Sequence, residues 1–359
     1  MASKTVIFDI SSHGLGHLAI SAPVIQNFSE LFPDVRIVVR SKISLRVLRT
    51  FTQSKIEYYP RSREVSLTAP NALDVDVKSS ILAYEALYAN WAEEVRLEAV
   101  FLQEIGAHIV VSNINYLSLA AAQEIGLPNV ALCCMNWLDM FRSFCSQAPH
   151  SNAIEKCLHS AYAGTDIFLQ PKPHMPMSDI GVGRSIGPIA RVGANRSGDL
   201  KAKLGCPNSV HLVLYSLGGL PGLSEPSLPF IKGVRWLLSE SYRGERMDVS
   251  SCQVLGWPFT DIVASVDAVI GKDSYGTVVE AACAGVRLIM SPRDNWPEGD
   301  CLAEWARAHC CFIAAGKSRD GKPNLARALE EILSLDRRPA LTPSGIYEAV
   351  EAIATIAKL

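Results

Sequence analysis

The feature that most constrains the fold of this chain is an alternation of short apolar runs with segments of helical periodicity. Thr5–Ile10 is apolar and β-rich, and residues from Leu18 to Phe32 then carry apolar side chains at helical spacing. Pro23 is expected in the first turn of that helix, where proline is tolerated. Further strand-like runs lie at 35–40, 108–112 and 129–133, and helix-like segments at 81–105 and 117–125. This order predicts a parallel sheet with helices on both faces.

The alternation restarts after a segment rich in proline and glycine, at 170–193. Strand-like runs follow at 211–215, 268–270, 286–291 and 311–315, and helix-like segments at 275–284, 298–308, 324–335 and 347–358. We therefore expect two Rossmann-like domains, at 1–188 and 189–342, and a C-terminal helix within 343–359 that packs back on the first domain. Ligands in such sheets bind at the carboxyl ends of the strands.

Composition excludes several classes of protein. The chain has 359 residues, of which 48% are hydrophobic and 19% charged, with a formal net charge of -2. These values are typical of a globular protein and argue against disorder or nucleic-acid binding. The ten cysteines show no CxxC spacing, which favours reduced, buried thiols. No apolar run is long enough for a membrane span, and the start lacks a signal-peptide pattern, so we expect a cytoplasmic protein without a transmembrane segment.

A glycine-rich loop with two histidines, at 12–17, joins the first strand to the first helix. Each imidazole is a candidate general base because it titrates near neutral pH, which makes His13 and His17 candidate catalytic residues. A structural turn or a pair of metal ligands are the alternatives, but the intervening glycines disfavour a regular helix and no third ligand lies nearby. The residues between the histidines, Gly14, Leu15 and Gly16, are expected either to contact a substrate or to serve only as the loop.

The second informative segment, at 268–280, leads from a strand into a helix through small and hydroxyl residues. Backbone amides at such a helix start, with the hydroxyls of Ser274 and Thr277, suit a phosphate, and Lys272 adds positive charge. Glu280 lies one turn beyond Thr277 and suits the two hydroxyls of a ribose. Trp257 is a candidate for stacking on the base or ribose. Each residue has an ordinary alternative as a cap, a solvated side chain or a core residue, but their order together favours a nucleotide site.

These two segments resemble the GT-B glycosyltransferases. The loop SHGLGHL is similar to the glycine-rich loop of the peptidoglycan N-acetylglucosaminyltransferases and of the glycosyltransferase-like half of plant arabinokinases. Residues 268–293 resemble the donor-binding region of those proteins, where a Gly-Thr-x-x-Glu pattern matches Gly276, Thr277 and Glu280. The resemblance covers nearly the whole chain in element order. It implies the GT-B fold, in which an acceptor domain at 1–188 faces a donor domain at 189–342 across a cleft.

The resemblance also implies roles for individual residues. It assigns Glu280 to the ribose, and it assigns a second loop to the phosphates, containing Ser216, Gly218 and Gly219. The residues implied at the diphosphate are Ser274, Tyr275, Gly276 and Thr277. The candidates for contact with the donor sugar are Asp294, Asn295 and Glu298. The acceptor loops are expected near 58–76 and 137–149.

One position departs from the pattern of the family. Many members orient the catalytic histidine with an aspartate at the end of a strand, and here that place falls to Asn113. An amide can fix the tautomer of an imidazole, but it cannot stabilise an imidazolium by charge. Asp9 and Asp139 are therefore alternative candidates for the base.

The expected activity is metal-independent, inverting transfer of a sugar to a small-molecule acceptor, without a cofactor and without nucleic acid as a partner. A UDP-sugar is the favoured donor, with dTDP- and GDP-sugars as alternatives. A non-hydrolysing sugar-nucleotide epimerase is a second reading, since fold alone does not separate the two activities. The third is a non-catalytic sugar-nucleotide-binding accessory protein, suggested by the missing aspartate at position 113. The sequence leaves the oligomeric state open.

Overall fold

A computed structural model describes residues 4–71, 73–217, 228–239, 242, 244–316 and 324–359. The chain forms two compact units. Unit 1 comprises Met1–Ile189 and Ser344–Leu359, and unit 2 comprises Ala190–Pro343. Both units contain a parallel sheet and helices, so the predicted α/β class is confirmed.

Unit 1 is built on a seven-stranded sheet. Its strands are β1 (Thr5–Ile10), β2 (Arg36–Arg40), β3 (Glu57–Tyr59), β4 (Ile109–Asn113), β5 (Asn129–Leu132), β6 (Ile167–Pro171) and β7 (Gly183–Ile186). They pair in parallel in the order β3-β2-β1-β4-β5-β6-β7. Every residue of the central strands β1 and β4 is buried, as expected when helices cover both faces of a parallel sheet.

Seven helices of unit 1 lie between its strands, and no helix was predicted for three of them, at 45–48, 137–145 and 151–163. They are α1 (Gly16–Leu31), α2 (Leu45–Leu48), α3 (Val77–Ala89), α4 (Trp91–Glu104), α5 (Tyr116–Glu124), α6 (Trp137–Cys145) and α7 (Ser151–Ala163). The placement of Pro23 in the first turn was wrong, because α1 begins at Gly16 and the proline lies well inside the helix. The region at 137–149 is also no simple loop. Asn136 accepts a hydrogen bond from the amide of Asp139 and starts α6 there.

Unit 2 repeats the architecture with six strands. These are β8 (His211–Ser216), β9 (Val234–Leu238), β10 (Val249–Ser251), β11 (Ala268–Lys272), β12 (Arg287–Ser291) and β13 (Phe312–Ala314), in the order β10-β9-β8-β11-β12-β13. The helices are α8 (Ser197–Lys203), α9 (Phe259–Ser265), α10 (Tyr275–Ala284), α11 (Gly299–His309) and α12 (Leu325–Leu333). Two clusters of buried apolar side chains pack on this sheet. One contains Trp236, and the other contains Leu237.

The last helix, α13 (Gly345–Ala357), belongs to unit 1 and packs on α1. The Lys4 ammonium donates to the carbonyl oxygens of Ala357 and Lys358, at 2.7 Å each. All ten cysteines are free thiols. Within the described ranges, no helix combines the length and the apolar character needed to cross a membrane.

Strand order reverses once in each sheet, and this fixes where a ligand would bind. In unit 1 the reversal lies between β1 and β4, and in unit 2 between β8 and β11. Ligands of open parallel sheets bind at the carboxyl ends of the strands beside such a reversal. The glycine-rich loop follows β1, and the segment at 272–277 follows β11. Both sequence motifs therefore lie at the reversal point of their own unit.

Candidate functional site

The loop after β1 is shaped by its glycines. Gly14 has φ +77°, a left-handed conformation that side chains with a Cβ rarely adopt. Gly16 begins α1, and Leu15 before it provides no side-chain cap for the helix start. His17, the second residue of α1, is only 6% exposed. The turn therefore places an imidazole in a nearly buried position at the carboxyl end of β1.

Asn113 holds His17 through two hydrogen bonds, and it also bonds Ser21. The Asn113 Nδ2 donates to the carbonyl oxygen of His17 at 3.2 Å and to Ser21 Oγ at 3.1 Å. Because a carbonyl oxygen only accepts, these bonds identify Oδ1 as the amide atom beside the imidazole, 2.9 Å from His17 Nδ1. Nδ1 must then carry the hydrogen, and Nε2 is the nitrogen with a lone pair in the neutral ring. The amide thus fixes the tautomer that a general base requires.

Cys133, which directly follows β5, is a second neighbour of the imidazole and was not predicted. Its Sγ lies 3.7 Å from His17 Nδ1, and its side chain is fully buried. Burial lowers the pKa of His17, but the hydrogen bond and charge of Cys133, together with Glu64 and Asn113, raise it to about 9. Burial raises the pKa of the Cys133 thiol, whereas hydrogen bonds from Cys134 and His17 and the charge of His17 lower it overall. The two groups therefore favour each other's charged forms.

Glu64 and Trp137 complete this part of unit 1. Trp137 Nε1 donates to Glu64 Oε1 at 2.6 Å, and the indole ring contacts both candidate bases, with centroids 5.1 Å from His13 and 5.8 Å from His17. His13 Nδ1 also lies 3.4 Å from Ser66 Oγ. Burial raises the pKa of Glu64 to about 7, although the hydrogen bond from Ser11 and the positive charge of His17 lower it. No local sequence pattern marks Glu64, because it lies in an irregular segment.

The two aspartates considered as alternative bases are both bound by arginines of unit 1. Asp9 is fully buried and bound by Arg40, whose Nε donates to Asp9 Oδ2 at 3.1 Å, and by Asn115 Nδ2 at 2.9 Å. Arg40 also bonds Glu98, so its charge is shared between two carboxylates. Asp139 lies in the first turn of α6, where it forms an ion pair with Arg142 at 3.3 Å. Both carboxylates are therefore paired with a guanidinium in this structure, and the use of either as a base stays a prediction.

In unit 2, two neighbouring strands bring the predicted phosphate residues together. Ser216 ends β8 and pairs across the sheet with Gly271 of β11. A Cβ at Gly271 would meet the Thr277 side chain at 2.5 Å and the carbonyl oxygen of Ser216 at 3.1 Å, so only glycine fits there. Gly218 and Gly219 lie outside the described residues. The segment after β11 thus starts close to the end of β8.

The start of α10 matches the predicted boundary, and its first residue is Tyr275. Ser274 occupies the N-cap position but makes no capping hydrogen bond with its side chain. Instead, Ser274 Oγ and Thr277 Oγ1 lie 3.0 Å apart. Tyr275 is buried, whereas Gly276 is half-buried. Amide groups at this helix start are therefore not satisfied by the Ser274 hydroxyl, which suits an anion.

Glu280 is half-buried on α10, and its surroundings raise its pKa to about 7. Burial is the main cause, and the positive charge of Arg191 opposes it. Among the hydrogen bonds between described residues, none reaches the Glu280 carboxylate. Arg191 was not predicted, because it is close to Glu280 only after folding.

The loop after β12 is tied to the residue before Ser274. Arg293 Nε forms a buried ion pair with Asp273 Oδ1 at 2.6 Å, and its amide donates to Asp273 Oδ2 at 3.1 Å. The Arg293 guanidinium also lies 3.6 Å from the ring centre of Trp296. Burial, followed by the charge of Arg293, lowers the pKa of Lys272 to about 8. The loop after β12 and the segment at 272–277 thus form one connected structure.

The candidates for the donor sugar differ in exposure. Glu298 is buried and accepts a hydrogen bond from Trp296 Nε1 at 3.0 Å, whereas Asp294 and Asn295 are exposed. Trp257 packs against a core cluster of unit 2, and the Arg196 guanidinium lies 5.4 Å from its ring centre. A base that stacked on Trp257 would have to compete with Arg196. In the ranges that the structure describes, no group of three or more histidine, cysteine, aspartate or glutamate residues is arranged to hold a metal.

Comparison with known proteins identifies the fold. No family model matches the chain. An L-arabinokinase of Arabidopsis thaliana is 24% identical over 326 residues, which cover 87% of this chain and 30% of that protein. The chain therefore spans less than a third of the length of this relative.

Solved structures resemble the chain over its whole length. The calicheamicin glycosyltransferase CalG4 has a TM-score of 0.65 at 15% identity and covers 100% of this chain and 99% of its own. UGT2 of Phytolacca americana, complexed with UDP-2fluoro-glucose and pterostilbene, has a TM-score of 0.62 at 12% identity. The match covers 99% of this chain and 94% of that chain. A protein described as a UDP-N-acetylglucosamine 2-epimerase from Listeria monocytogenes has a TM-score of 0.56 at 13% identity, and the match covers 99% of this chain and 96% of that protein. The predicted resemblance to GT-B glycosyltransferases is thus confirmed for the fold.

Proposed function

We propose that the chain is an inverting, metal-independent glycosyltransferase that moves a sugar from a nucleoside-diphosphate donor to a hydroxyl of a small-molecule acceptor. The observation that carries this proposal is the imidazole of His17, whose Nδ1 is held by Asn113 Oδ1 at 2.9 Å. That bond leaves Nε2 to take a proton, and the ring lies at the carboxyl end of β1 beside the strand reversal.

We assign the donor to unit 2 and the base to unit 1. Ser216 and the start of α10 would bind the diphosphate, Lys272 would add charge, and Glu280 would accept the ribose hydroxyls. Preorganised amides and a cation suit charge that develops on a leaving diphosphate, which supports transfer without a metal. The UDP-2fluoro-glucose bound by UGT2 of Phytolacca americana supports a UDP-sugar as donor. The free thiols support a cytoplasmic location.

On the acceptor side, His17 would take the proton of the attacking hydroxyl as the oxygen bonds to the anomeric carbon and the diphosphate leaves. His13 and Glu64, both half-buried and both in contact with Trp137, would border the acceptor. Gly14, Leu15 and Gly16 would complete that surface through the backbone of the turn. Asn113 would act on the reaction only through the orientation of His17.

An epimerase is the second candidate, because the Listeria monocytogenes protein has a similar fold. One experiment separates the possibilities. The protein is incubated with UDP-, dTDP- and GDP-sugars, singly, with and without a panel of hydroxyl acceptors, and the products are followed by mass spectrometry and NMR. We expect a glycosylated acceptor and free nucleoside diphosphate. An isomerised sugar nucleotide formed without acceptor would identify an epimerase, and a thermal shift without turnover would identify an accessory protein.

A further inference from the structure

The Nδ1 side of His17 faces two acceptors of different chemistry. Asn113 Oδ1 lies 2.9 Å from Nδ1, and Cys133 Sγ lies 3.7 Å from the same atom. The amide is neutral at every pH, whereas a thiol can lose its proton and become an anion. Cys133 and His17 are both buried, so water does little to screen an interaction between a thiolate and an imidazolium.

We propose that Cys133 is a positioning residue for His17 and that, as a thiolate, it supplies beside Nδ1 the negative charge that Asn113 lacks. The inference rests on the proposed function, in which His17 is the base. The amide then sets the direction and tautomer of the ring, and the sulfur stabilises the imidazolium. Two residues at the carboxyl ends of adjacent strands, Asn113 of β4 and Cys133 directly after β5, thereby divide between them what a single aspartate does when it orients a catalytic histidine.

Other groups around the pair support a thiolate. Cys134 donates a hydrogen bond to Cys133, and the charge of His17 acts on the same sulfur. Glu64 adds a negative charge that acts on His17. Tyr162 also faces Cys133, but burial raises the pKa of its phenol so far that it stays neutral. The pKa of His17 is raised and that of Cys133 is lowered, as expected for an imidazolium beside a thiolate.

The proton balance defines the active form. Between the lowered pKa of Cys133 and the raised pKa of His17, the pair is an imidazolium and a thiolate, and Nε2 carries a proton that blocks its use as a base. Loss of that proton leaves a neutral ring whose Nδ1–H still faces the thiolate. Nε2 then takes the proton of the acceptor hydroxyl, whose oxygen bonds to the anomeric carbon while the bond to the diphosphate breaks. The imidazolium formed in this step finally gives its proton to solvent.

The test is an NMR titration of the His17 imidazole in the whole protein, which needs neither donor nor acceptor. We compare the wild type with Cys133→Ser, and we use Cys252→Ser, which replaces a buried thiol of unit 2, as the matched control. The wild-type His17 should titrate well above an ordinary histidine. Its proton affinity should fall more than tenfold in Cys133→Ser and stay unchanged in Cys252→Ser.

Two results would overturn the inference. One is a wild-type His17 that titrates at or below the ordinary histidine value, since burial without an anion lowers the pKa. The other is a Cys133→Ser protein whose His17 titrates as in the wild type. The wild-type titration can overturn the inference even if Cys133→Ser fails to fold. A raised His17 pKa without any sugar transfer would refute the proposed function alone, and transfer that depends on His17 without a raised pKa would refute the role of Cys133 alone.

Discussion

The two units present similar sheets, but they differ in how far their candidate residues are already satisfied. In unit 1, His17 is bound through Nδ1 by Asn113, and its ring contacts Trp137. In unit 2, the Ser274 side chain does not cap α10, and the described hydrogen bonds do not reach Glu280. We infer that unit 1 is organised in advance for moving a proton, while unit 2 keeps hydrogen-bonding capacity for a ligand.

The balance of charge differs in the same way. In unit 1 the buried Arg40 is shared by Asp9 and Glu98, and Arg63 Nε lies 3.7 Å from Glu98 Oε1, so these two carboxylates are matched by two guanidinium groups. In unit 2, burial raises the pKa of Glu280 and lowers that of Lys272, which means that both charged forms are poorly stabilised by their surroundings. If the proposed donor binds here, its ribose hydroxyls would stabilise the Glu280 carboxylate and its diphosphate would stabilise the Lys272 ammonium.

The largest expected effect is on the chemical step in unit 1. His17→Ala should lower kcat by about two to four orders of magnitude, because a general base is removed. Donor affinity should change by no more than a few-fold, since the donor is assigned to unit 2. Steady-state kinetics and calorimetric titration with UDP measure the two quantities. His13→Ala is the matched control, and a collapse of kcat in that variant alone would move the base to His13.

The next effect concerns donor binding in unit 2. Glu280→Gln should weaken UDP binding by about ten- to a hundredfold, because hydrogen bonds to a charged group contribute about 1.5–3 kcal/mol. The shape of the side chain is retained, so the helix should persist. Calorimetric titration is the measurement, and Glu330→Gln, which changes an exposed carboxylate of the same unit, is the control. Equal affinity in the wild type and Glu280→Gln would remove Glu280 from the ribose site.

A smaller effect follows from the pKa of Glu280, which burial raises to about 7. The ionised carboxylate accepts hydrogen bonds from both ribose hydroxyls. UDP affinity should therefore be highest above the pKa of Glu280 and fall as the pH drops through that value, by at most about tenfold per pH unit. Glu280→Gln should lose this dependence. UDP titrations over a pH series check the sign, and a wild-type affinity that rises on acidification would contradict the assignment.

The smallest expected effect is that of a chelator. Transfer should survive thorough treatment with EDTA, because we assign the stabilisation of the negative diphosphate to the start of α10 and to Lys272. The assay compares treated enzyme with and without added magnesium or manganese. Activity that disappears with EDTA and returns with either ion would show that unit 2 binds its donor through a metal.

Local sequence signals predicted much of the fold. The boundaries of α10 were predicted at Tyr275 and Ala284, because the strand before it is apolar and Gly285 follows it directly. The long helical segment at 81–105 divides into α3 and α4 at Asn90. Strands β6 and β7 were missed, because they lie near or within a segment dominated by proline and glycine signals.

The candidate site was less predictable, because it depends on strand order. The pairing of His17 with Asn113 follows from a family pattern, but the proximity of Cys133 does not. Cys133 reaches the imidazole because β5 lies beside β4 in the sheet, and no local spacing encodes that neighbour. Glu64 likewise meets Trp137 across 73 positions of sequence. Residues that act through long-range contacts carry no signal in a single sequence.

The division of labour between the units is tested most directly by single-turnover transfer at saturating donor, measured on the wild type, His17→Ala and Glu280→Gln. Saturation compensates for weakened binding but not for a missing base. We expect Glu280→Gln to transfer at nearly the wild-type rate under these conditions, while His17→Ala stays slower by about two to four orders of magnitude. A normal rate in His17→Ala together with a slow rate in Glu280→Gln would contradict it.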